Sequence, residues 1–354
     1  MVAGERFCEN CGADLPGSDV TGGDLPDQAQ VAAQGPDDDL LAAPAPQVAL
    51  REGVVVVPVD LAVRAATCTA CGGAVAADGY CEQCGTPAPN PRDHWVDEPA
   101  PWVVAVCDRG VRHSRNEDAV AVAAAADTGS FAVLVVCDGV SSAPDSDQAS
   151  LAAARAARDV LAGPPGDAGE DSAASMSLAG AAAHAAASAV ARRVAGSGRG
   201  SPPSTTFVAA VLQGRDAFVG WVGDSRAYWV PDGATAEQLS VDDSWAAEAI
   251  ALGVPREEAE SGPKAHAITR WLGADAPDPD PRTLSRRLDG PGWLLLCSDG
   301  LWNYCSEPEA LGELVADTRE HAQAPRELAE ALVQWAIDAG GADNISVALA
   351  RVEA

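Results

Sequence analysis

Two apolar segments that each end in Asp-Gly constrain the fold of this chain more than any other feature. Phe131-Ala-Val-Leu-Val-Val-Cys precedes Asp138-Gly139, and Trp293-Leu-Leu-Leu-Cys-Ser precedes Asp299-Gly300. Because neither apolar run alternates with polar residues, both are predicted to be strands buried on two faces. An aspartate at the end of such a strand lies at the rim of the core, where a carboxylate is costly unless it is paired or bound to a metal.

Two further aspartates extend this predicted rim. Asp343 precedes the apolar segment Ile345–Val352, and Asp224 lies between two other strand-like segments. If the strand after Asp343 runs antiparallel to the first two, its start lies at the rim where they end. Clustered carboxylate oxygens are ligands that suit Mg²⁺ or Mn²⁺. Each Asp-Gly alone is also typical of a turn, so the prediction depends on their joint occurrence.

The chain from Trp102 onward alternates short strand-like segments with a few long Ala-rich helices. Because most strands follow one another directly, the pattern predicts an α+β fold with antiparallel sheets rather than repeated βαβ units. The predicted strands are Trp102–Cys107, Phe131–Cys137, Thr206–Leu212, Ala217–Val222, Ala227–Val230, Gly292–Cys297 and Ile345–Val352, and the predicted helices are Gln148–Leu161, Ser172–Val194 and Pro325–Ala339.

Six of the ten cysteines lie before residue 100. The N-terminus has no apolar core of the signal-peptide type, so a reducing, cytoplasmic location is expected, where paired cysteines indicate metal binding. The two pairs Cys68-x-x-Cys71 and Cys81-x-x-Cys84 are each followed by glycine. Two thiolate turns of this kind form a tetrahedral site, so we predict a structural zinc ribbon.

A further pair, Cys8-x-x-Cys11, resembles half of a second ribbon. Three interpretations remain open: it binds zinc with a distant pair, it shares an ion between two molecules, or the true start of the protein lies upstream.

Composition divides the chain and limits its partners. The predicted organisation is a half zinc-knuckle and disordered acidic linker over 1–66, a zinc ribbon over 67–86, a Pro-rich linker over 87–101, and a globular domain over 102–354. The net charge of −29 repels nucleic acid and anionic membranes. No apolar run approaches ~20 residues, so no membrane span is expected.

Residues from about 102 to 352 resemble the metal-dependent protein phosphatase family, also called protein phosphatase 2C. The matching motifs follow the order of the family along the whole segment. They are Arg109-Gly110, Asn116-Glu117-Asp118-Ala119, Val136-Cys137-Asp138-Gly139, Ser204-Thr205-Thr206, Gly223-Asp224-Ser225-Arg226-Ala227-Tyr228, Ile268-Thr269-Arg270-Trp271-Leu272-Gly273, Cys297-Ser298-Asp299-Gly300-Leu301-Trp302 and Asp343-Asn344-Ile345-Ser346-Val347.

The resemblance implies a four-layer α-β-β-α sandwich of two antiparallel sheets, here preceded by the small zinc ribbon. It also implies hydrolysis of phosphoserine and phosphothreonine in proteins by a water shared between two Mn²⁺ or Mg²⁺ ions ~3.5–4 Å apart. Partners would be phosphoproteins of a Ser/Thr kinase system. By resemblance, Asp138 bridges both ions, and the site is completed by the Gly139 carbonyl, Asp299 and Asp343. The resemblance also implies that Glu117 and Asp118 hold metal-bound waters and that Asp224 binds a third ion.

Departures from the family pattern concern the substrate phosphate. His113 stands where bacterial relatives carry a phosphate-binding arginine, and Arg112 and Arg115 on either side are the candidate replacements. Val140 follows Asp138-Gly139 where animal members carry a histidine, and Asn303 stands where some members carry a third-metal aspartate. The alternative is therefore a catalytically weakened pseudophosphatase scaffold that binds phosphoproteins. A nucleic-acid role for the ribbon is disfavoured, because few basic residues lie near it.

Overall fold

The computed structural model describes residues 49–59, 61, 67–164, 172–194, 201–262, 264–265 and 267–353. The predicted half-knuckle with Cys8 and Cys11 and most of the acidic linker lie outside the described residues. In chain order the strands are β1 Val54–Val55, β2 His94–Ala100, β3 Val103–Asp108, β4 Ala119–Ala125, β5 Ala132–Cys137, β6 Ser204–Thr205, β7 Phe207–Gln213, β8 Asp216–Val222, β9 Arg226–Pro231, β10 Glu237–Gln238, β11 Leu272–Gly273, β12 Arg282–Arg287, β13 Gly292–Cys297 and β14 Ile345–Val352.

The strands form two six-stranded sheets. The first sheet has the order β1-β4-β5-β7-β8-β12, and the second has the order β10-β9-β13-β14-β3-β2, with β6 and β11 as a separate pair. Every pairing between these strands is antiparallel. The predicted antiparallel α+β architecture is confirmed.

The helices cover the outer faces of the sheets. They are α1 Ser146–Leu161, α2 Ser172–Val194, α3 Trp245–Ala251, α4 Arg256–Ser261, α5 Asp299–Trp302, α6 Pro308–Arg319 and α7 Pro325–Ala339. One core cluster joins the first sheet to α1 and α2, and another joins the second sheet to α5, α6 and α7.

Alternate residues of each central strand serve two different cores. Val133 and Val135 of β5 face α1 and α2, whereas Leu134 and Val136 face the second sheet. All four are fully buried. Because both faces of these strands are covered, polar residues are not needed before the strand ends, and this explains the unbroken apolar runs. The two sheets with helices on their outer faces confirm the predicted four-layer sandwich.

By length and hydropathy alone, α2 could cross a membrane between Ser172 and Arg193. This differs from the expectation that no apolar stretch reached that length. The helix packs against α1 and buries Met176, Ala179 and Ala183 in the outer core of the first sheet. Its apolar composition therefore has a role in packing within the fold.

The structure differs from the predicted linker boundaries at two places. Val54 and Val55, assigned to the acidic linker, pair with Ala125 and Ala124 as an edge strand of the first sheet. The predicted Pro-rich linker over 87–101 contains β2, which is the edge strand of the second sheet beside β3. Edge strands tolerate proline and irregular pairing, which hides them in a Pro-rich sequence.

Candidate active site and four-cysteine cluster

The ends of the central strands bring acids from both sheets to one rim. In the first sheet, Ala119 pairs with Cys137, so Asp118 and Asp138 adjoin the same end of β4 and β5. In the second sheet, Cys297 at the end of β13 pairs with Val347 near the start of β14. The strand after Asp343 therefore runs antiparallel to β13, and this direction brings Asp299 and Asp343 to the same end of the second sheet.

A serine connects the two sheets at this rim. The hydroxyl of Ser298 donates to Oδ2 of Asp118 at 2.7 Å, and it accepts from the backbone N–H of Ser346 at 2.9 Å. Burial raises the pKa of Asp118 to about 6, although hydrogen bonds with Ser298, Ser346 and Asp138 act in the opposite direction. Asp118 is fully buried, so a cation bound at the rim would favour its ionised form.

Asp343 and Glu117 lie on either side of His113. The His113 ring places Nε2 3.2 Å from Oδ1 of Asp343 and Nδ1 3.8 Å from Oε2 of Glu117. Burial, reinforced by repulsion from Asp299, raises the pKa of Asp343 to about 8. The nearby Glu117 carboxylate raises the pKa of His113. In its protonated form the imidazole would offset part of the negative charge on this side of the rim.

The acids at Asp224 and Asp299 form the inner part of the rim. Both side-chain oxygens of Asp224 are buried without a hydrogen-bond partner, and burial together with repulsion from Asp299 raises its pKa well above the usual value. Asn303 donates to Oδ2 of Asp299 at 2.8 Å, and the Trp302 indole donates to the carbonyl of Asp224 at 3.0 Å. A buried carboxylate without donors is stabilised by a cation.

Close packing fixes the residue after Asp138 as glycine. A Cβ on Gly139 would lie 2.6 Å from the carbonyl oxygen of Glu117 and 2.8 Å from that of Ser146. The neighbouring carbonyl of Asp138 accepts from the hydroxyl of Thr205 at 2.8 Å and from the N–H of Thr206 at 2.7 Å. The backbone at this strand end is thereby held on both sides.

The donor set at the rim fits a hard divalent cation. Carboxylate and carbonyl oxygens predominate among its candidate ligands, and Mg²⁺ and Mn²⁺ prefer such oxygens. The partnerless oxygens of Asp224 also fit a bound cation. Within the described part of the chain, only Cys68, Cys71, Cys81 and Cys84 bring three or more ligand atoms within 4.8 Å of one another. The rim acids are spread more widely, so direct contact by all of them needs more than one ion or bridging waters.

Of the three residues proposed to bind the substrate phosphate, two lie at the rim. His113 is described above, and the Nε of Arg115 lies 2.7 Å from Oε1 of Glu117. Arg115 keeps about 42% of its side chain exposed. Arg112 is exposed, and its backbone N–H donates to the carbonyl of Gly341.

Sequence reasoning missed the positioning role of Asn344. Its Oδ1 accepts from the N–H of Glu117 at 2.7 Å, and its Nδ2 donates to the carbonyls of Arg109 and Arg115 at 2.8 and 3.2 Å. The side chain thus ties the loop that carries Glu117 to the start of β14. Its position directly after Asp343 was the only available signal.

The cysteine pairs form two tight turns beside the sandwich. Gly72 and Gly85 donate their N–H groups back to the carbonyls of Cys68 and Cys81, and both glycines have positive φ. The Sγ atoms of Cys68 and Cys84 are 3.7 Å apart. Hydrogen bonds with Thr86 lower the pKa of Cys84 to about 6. The predicted convergence of the four thiols is therefore present, and thiolates in this arrangement suit zinc.

The remaining cysteines are small core residues, as predicted from their strand positions. Cys107, Cys137, Cys297 and Cys305 are buried. Burial raises the pKa of the Cys107 and Cys297 thiols well above the usual value, so neither thiol is suited to act as a nucleophile.

Comparison with known proteins identifies relatives of the region around the rim. The family described as protein phosphatase 2C matches residues 109–336. The serine/threonine phosphatase stp of Listeria welshimeri is 32% identical over 146 residues, which cover 41% of this chain and 55% of that protein. The chain therefore spans about half the length of the curated relatives it matches.

Solved structures give a longer match. The crystal structure of the Mycobacterium tuberculosis serine/threonine phosphatase PstP/Ppp superposes with a TM-score of 0.58 at 28% identity, covering 71% of this chain and 98% of that one. The catalytic domain of PstP in complex with 2 manganese ions gives a TM-score of 0.55 at 27% identity, with the same coverage of both chains.

Proposed function

The chain belongs to the protein phosphatase 2C family, and we propose that it is a protein phosphatase that hydrolyses phosphoserine and phosphothreonine with Mn²⁺ or Mg²⁺. The observation that carries this proposal is the rim, where Asp118 and Asp138 of one sheet meet Asp299 and Asp343 of the other. No three ligand atoms of these acids lie within 4.8 Å of one another, which supports binding through more than one ion or through bridging waters.

The metal-binding residues follow from this arrangement. Asp138 and the Gly139 carbonyl stand at the end of β5, Asp299 and Asp343 lie across the gap, and Glu117 and Asp118 border both. Divalent ions bound here would supply an acidified water as the nucleophile for in-line attack on phosphorus. The PstP catalytic domain, similar in fold, is in complex with manganese, which supports this choice of metal. Asp224 is the proposed ligand of a third ion.

The substrate phosphate is proposed to bind at the outer side of the rim. Arg115 is paired with Glu117 but remains partly exposed, so its guanidinium can donate to a phosphate oxygen. His113 lies between Glu117 and Asp343 and offsets their charge. Arg112, exposed nearby, adds positive charge at the entrance.

The four-cysteine cluster is proposed to be a structural zinc ribbon. A closed Cys₄ site has no open position for substrate, so zinc here would stabilise the fold of residues 67–86 and take no part in hydrolysis. We further propose phosphoproteins of a Ser/Thr kinase system as partners, in line with relatives named serine/threonine phosphatases. A cytoplasmic location is also proposed.

Hydrolysis of a phosphothreonine peptide tests the proposal. Wild-type protein is expected to release phosphate only with added Mn²⁺ or Mg²⁺, and Asp138→Ala is expected to lose this activity. A wild type without metal-dependent activity, or equal rates for both proteins, would overturn it.

The second candidate is a phosphoprotein-binding scaffold without turnover. One observation favours it: the ion pair with Glu117 uses the Nε donor of Arg115, which leaves fewer donors of this guanidinium for a phosphate. Binding of the phosphopeptide with a measurable dissociation constant, together with no phosphate release at saturating Mn²⁺, would select this function.

A further inference from the structure

Arg92 is a buried cation that lies directly beneath the acidic rim. Arg92 is only 9% exposed to solvent. Nη2 donates to the carbonyl of Asp118 at 2.8 Å and to that of Asn116 at 3.3 Å. One guanidinium therefore holds the backbone on both sides of Glu117.

The contact is reciprocal. Nδ2 of Asn116 donates to the carbonyl of Arg92 at 2.9 Å, and the guanidinium lies 5.4 Å from the centre of the Trp95 ring. Burial lowers the pKa of Arg92, and the acids Asp118 and Glu117 are among the groups that oppose this effect. A buried charge is retained at a cost, and here it faces the loop that carries two predicted metal-site acids.

Arg92 is also tied to the four-cysteine cluster through a short, stiff connection. The N–H of Ala88 donates to the carbonyl of Gly79 within the cysteine-bearing segment. Pro89 and Pro91 follow, each with a restricted φ, and the side chain of Asn90 accepts from the N–H of Arg92 at 3.1 Å. Arg92 therefore lies four positions after Ala88, which makes the last backbone hydrogen bond of the cysteine-bearing segment.

Arg92 lies outside the family match, which begins at residue 109. It links an N-terminal segment bearing four cysteines to the Asn116-Glu117-Asp118 loop, whose acids line the rim.

We propose that Arg92 is a positioning residue that couples the four-cysteine cluster to divalent-metal binding at the rim. An ordered cluster holds residues 88–92 in place, Arg92 then fixes the carbonyls of Asn116 and Asp118, and the side chains of Glu117 and Asp118 keep their places for metal. The proposal rests on the proposed function only in that the rim binds a divalent cation.

Direct titration with Mn²⁺ tests the role of Arg92. The dissociation constant of Mn²⁺ is measured by calorimetry for the wild type, Arg92→Gln and Arg92→Lys, with thermal unfolding as a check of folding. Arg92→Gln is expected to raise the dissociation constant about tenfold, or about 1.4 kcal/mol. Arg92→Lys keeps the positive charge but lacks the planar guanidinium, and it is expected to recover part of the Mn²⁺ affinity that Arg92→Gln loses.

Arg155→Gln is the matched control, because Arg155 donates to the carbonyl of Val59 on the N-terminal segment and not to the rim loop. It should leave Mn²⁺ affinity unchanged. If Arg92→Gln folds and binds Mn²⁺ within about twofold of the wild type, or if Arg155→Gln has an equal effect, the positioning role is overturned.

A double-mutant cycle tests the coupling to the cluster. Cys71→Ser/Cys84→Ser is expected to abolish zinc binding and to weaken Mn²⁺ binding in the wild-type background, with no further weakening in Arg92→Gln. Additive effects, or a wild type that binds no zinc, would overturn the coupling.

Phosphopeptide turnover separates this inference from the proposed function. At saturating Mn²⁺, kcat and KM of Arg92→Gln should approach the wild-type values, since the loss lies in metal affinity. Mn²⁺ binding that depends on Arg92 without any phosphopeptide hydrolysis would reject the proposed activity and leave the inference standing, whereas a wild type that binds no Mn²⁺ overturns both.

Discussion

Ser298 and Asp118 are 180 residues apart in sequence and belong to the ends of different sheets, yet the serine hydroxyl donates to the aspartate at 2.7 Å. This hydrogen bond crosses the rim where the two sheets face each other. It stabilises the ionised form of an acid that burial would otherwise favour in its protonated form.

Ser298→Ala removes this donor, so the buried carboxylate of Asp118 loses one hydrogen bond. We expect the free energy of unfolding to fall by about 1–2 kcal/mol and Mn²⁺ affinity to fall with it. Urea denaturation and Mn²⁺ calorimetry measure the two effects. Ser306→Ala is the matched control, because Ser306 donates to Glu260 away from the rim acids. Equal losses in both variants would contradict a specific role of Ser298.

Mn²⁺ should stabilise the fold through the rim acids. Burial, together with repulsion from Asp299, raises the pKa of both Asp343 and Asp224. A bound cation would offset this repulsion. At an Mn²⁺ concentration about 100 times its dissociation constant, the expected gain is about 2.7 kcal/mol.

This gain appears as an upward shift of Tm in thermal denaturation. Asp138→Ala should lose most of the shift, whereas Asp289→Asn, at an exposed position away from the rim, should keep it. An undiminished shift in Asp138→Ala would mean that Mn²⁺ stabilises the protein elsewhere.

Asp97 makes stability depend on pH. Burial raises its pKa from 3.8 to about 6, so the folded protein holds the neutral form more readily than the unfolded chain. The associated stability is present below about pH 4 and is lost as pH rises through about 6. Asp97→Asn stays neutral, so its advantage over the wild type should grow between pH 5 and pH 8 by about 1–3 kcal/mol.

Urea denaturation at the two pH values measures this difference. Asp289→Asn, at an exposed position, is the matched control, and its stability relative to the wild type should not grow as that of Asp97→Asn does. An Asp97→Asn variant that is equally or less stable than the wild type at pH 8 would contradict the prediction.

Gly139→Ala should damage both stability and activity. The added Cβ would meet two backbone carbonyl oxygens, those of Glu117 and Ser146, which cannot rotate away as a flexible side chain would. We expect a loss of about 1–3 kcal/mol in unfolding free energy and a greater loss of Mn²⁺-dependent turnover. Gly262→Ala is the control, because its nearest contact would lie at 3.6 Å, and it should be tolerated.

The strands that carry Asp138 and Asp299 were predictable because an apolar run without alternation has few other stable solutions. The strand Ala119–Ala125 was not predicted, since alanine favours helices and only burial between α1 and the second sheet makes it extended. The strand His94–Ala100 was hidden by Pro99 and by the prolines around the strand, which an edge position allows. The polar strand Arg282–Arg287 likewise depends on pairing with β8.

The buried strands, the acids at their ends and the spacing of the four cysteines could be recognised in the amino-acid sequence, because each depends on neighbours within a few residues. The contact of Ser298 with Asp118, the hold of Asn344 on the loop of Glu117 and the position of Arg92 beneath that loop became visible only in the folded protein. These contacts join segments that are far apart in the chain. They arise only when the two sheets stack and leave buried polar groups that must find partners.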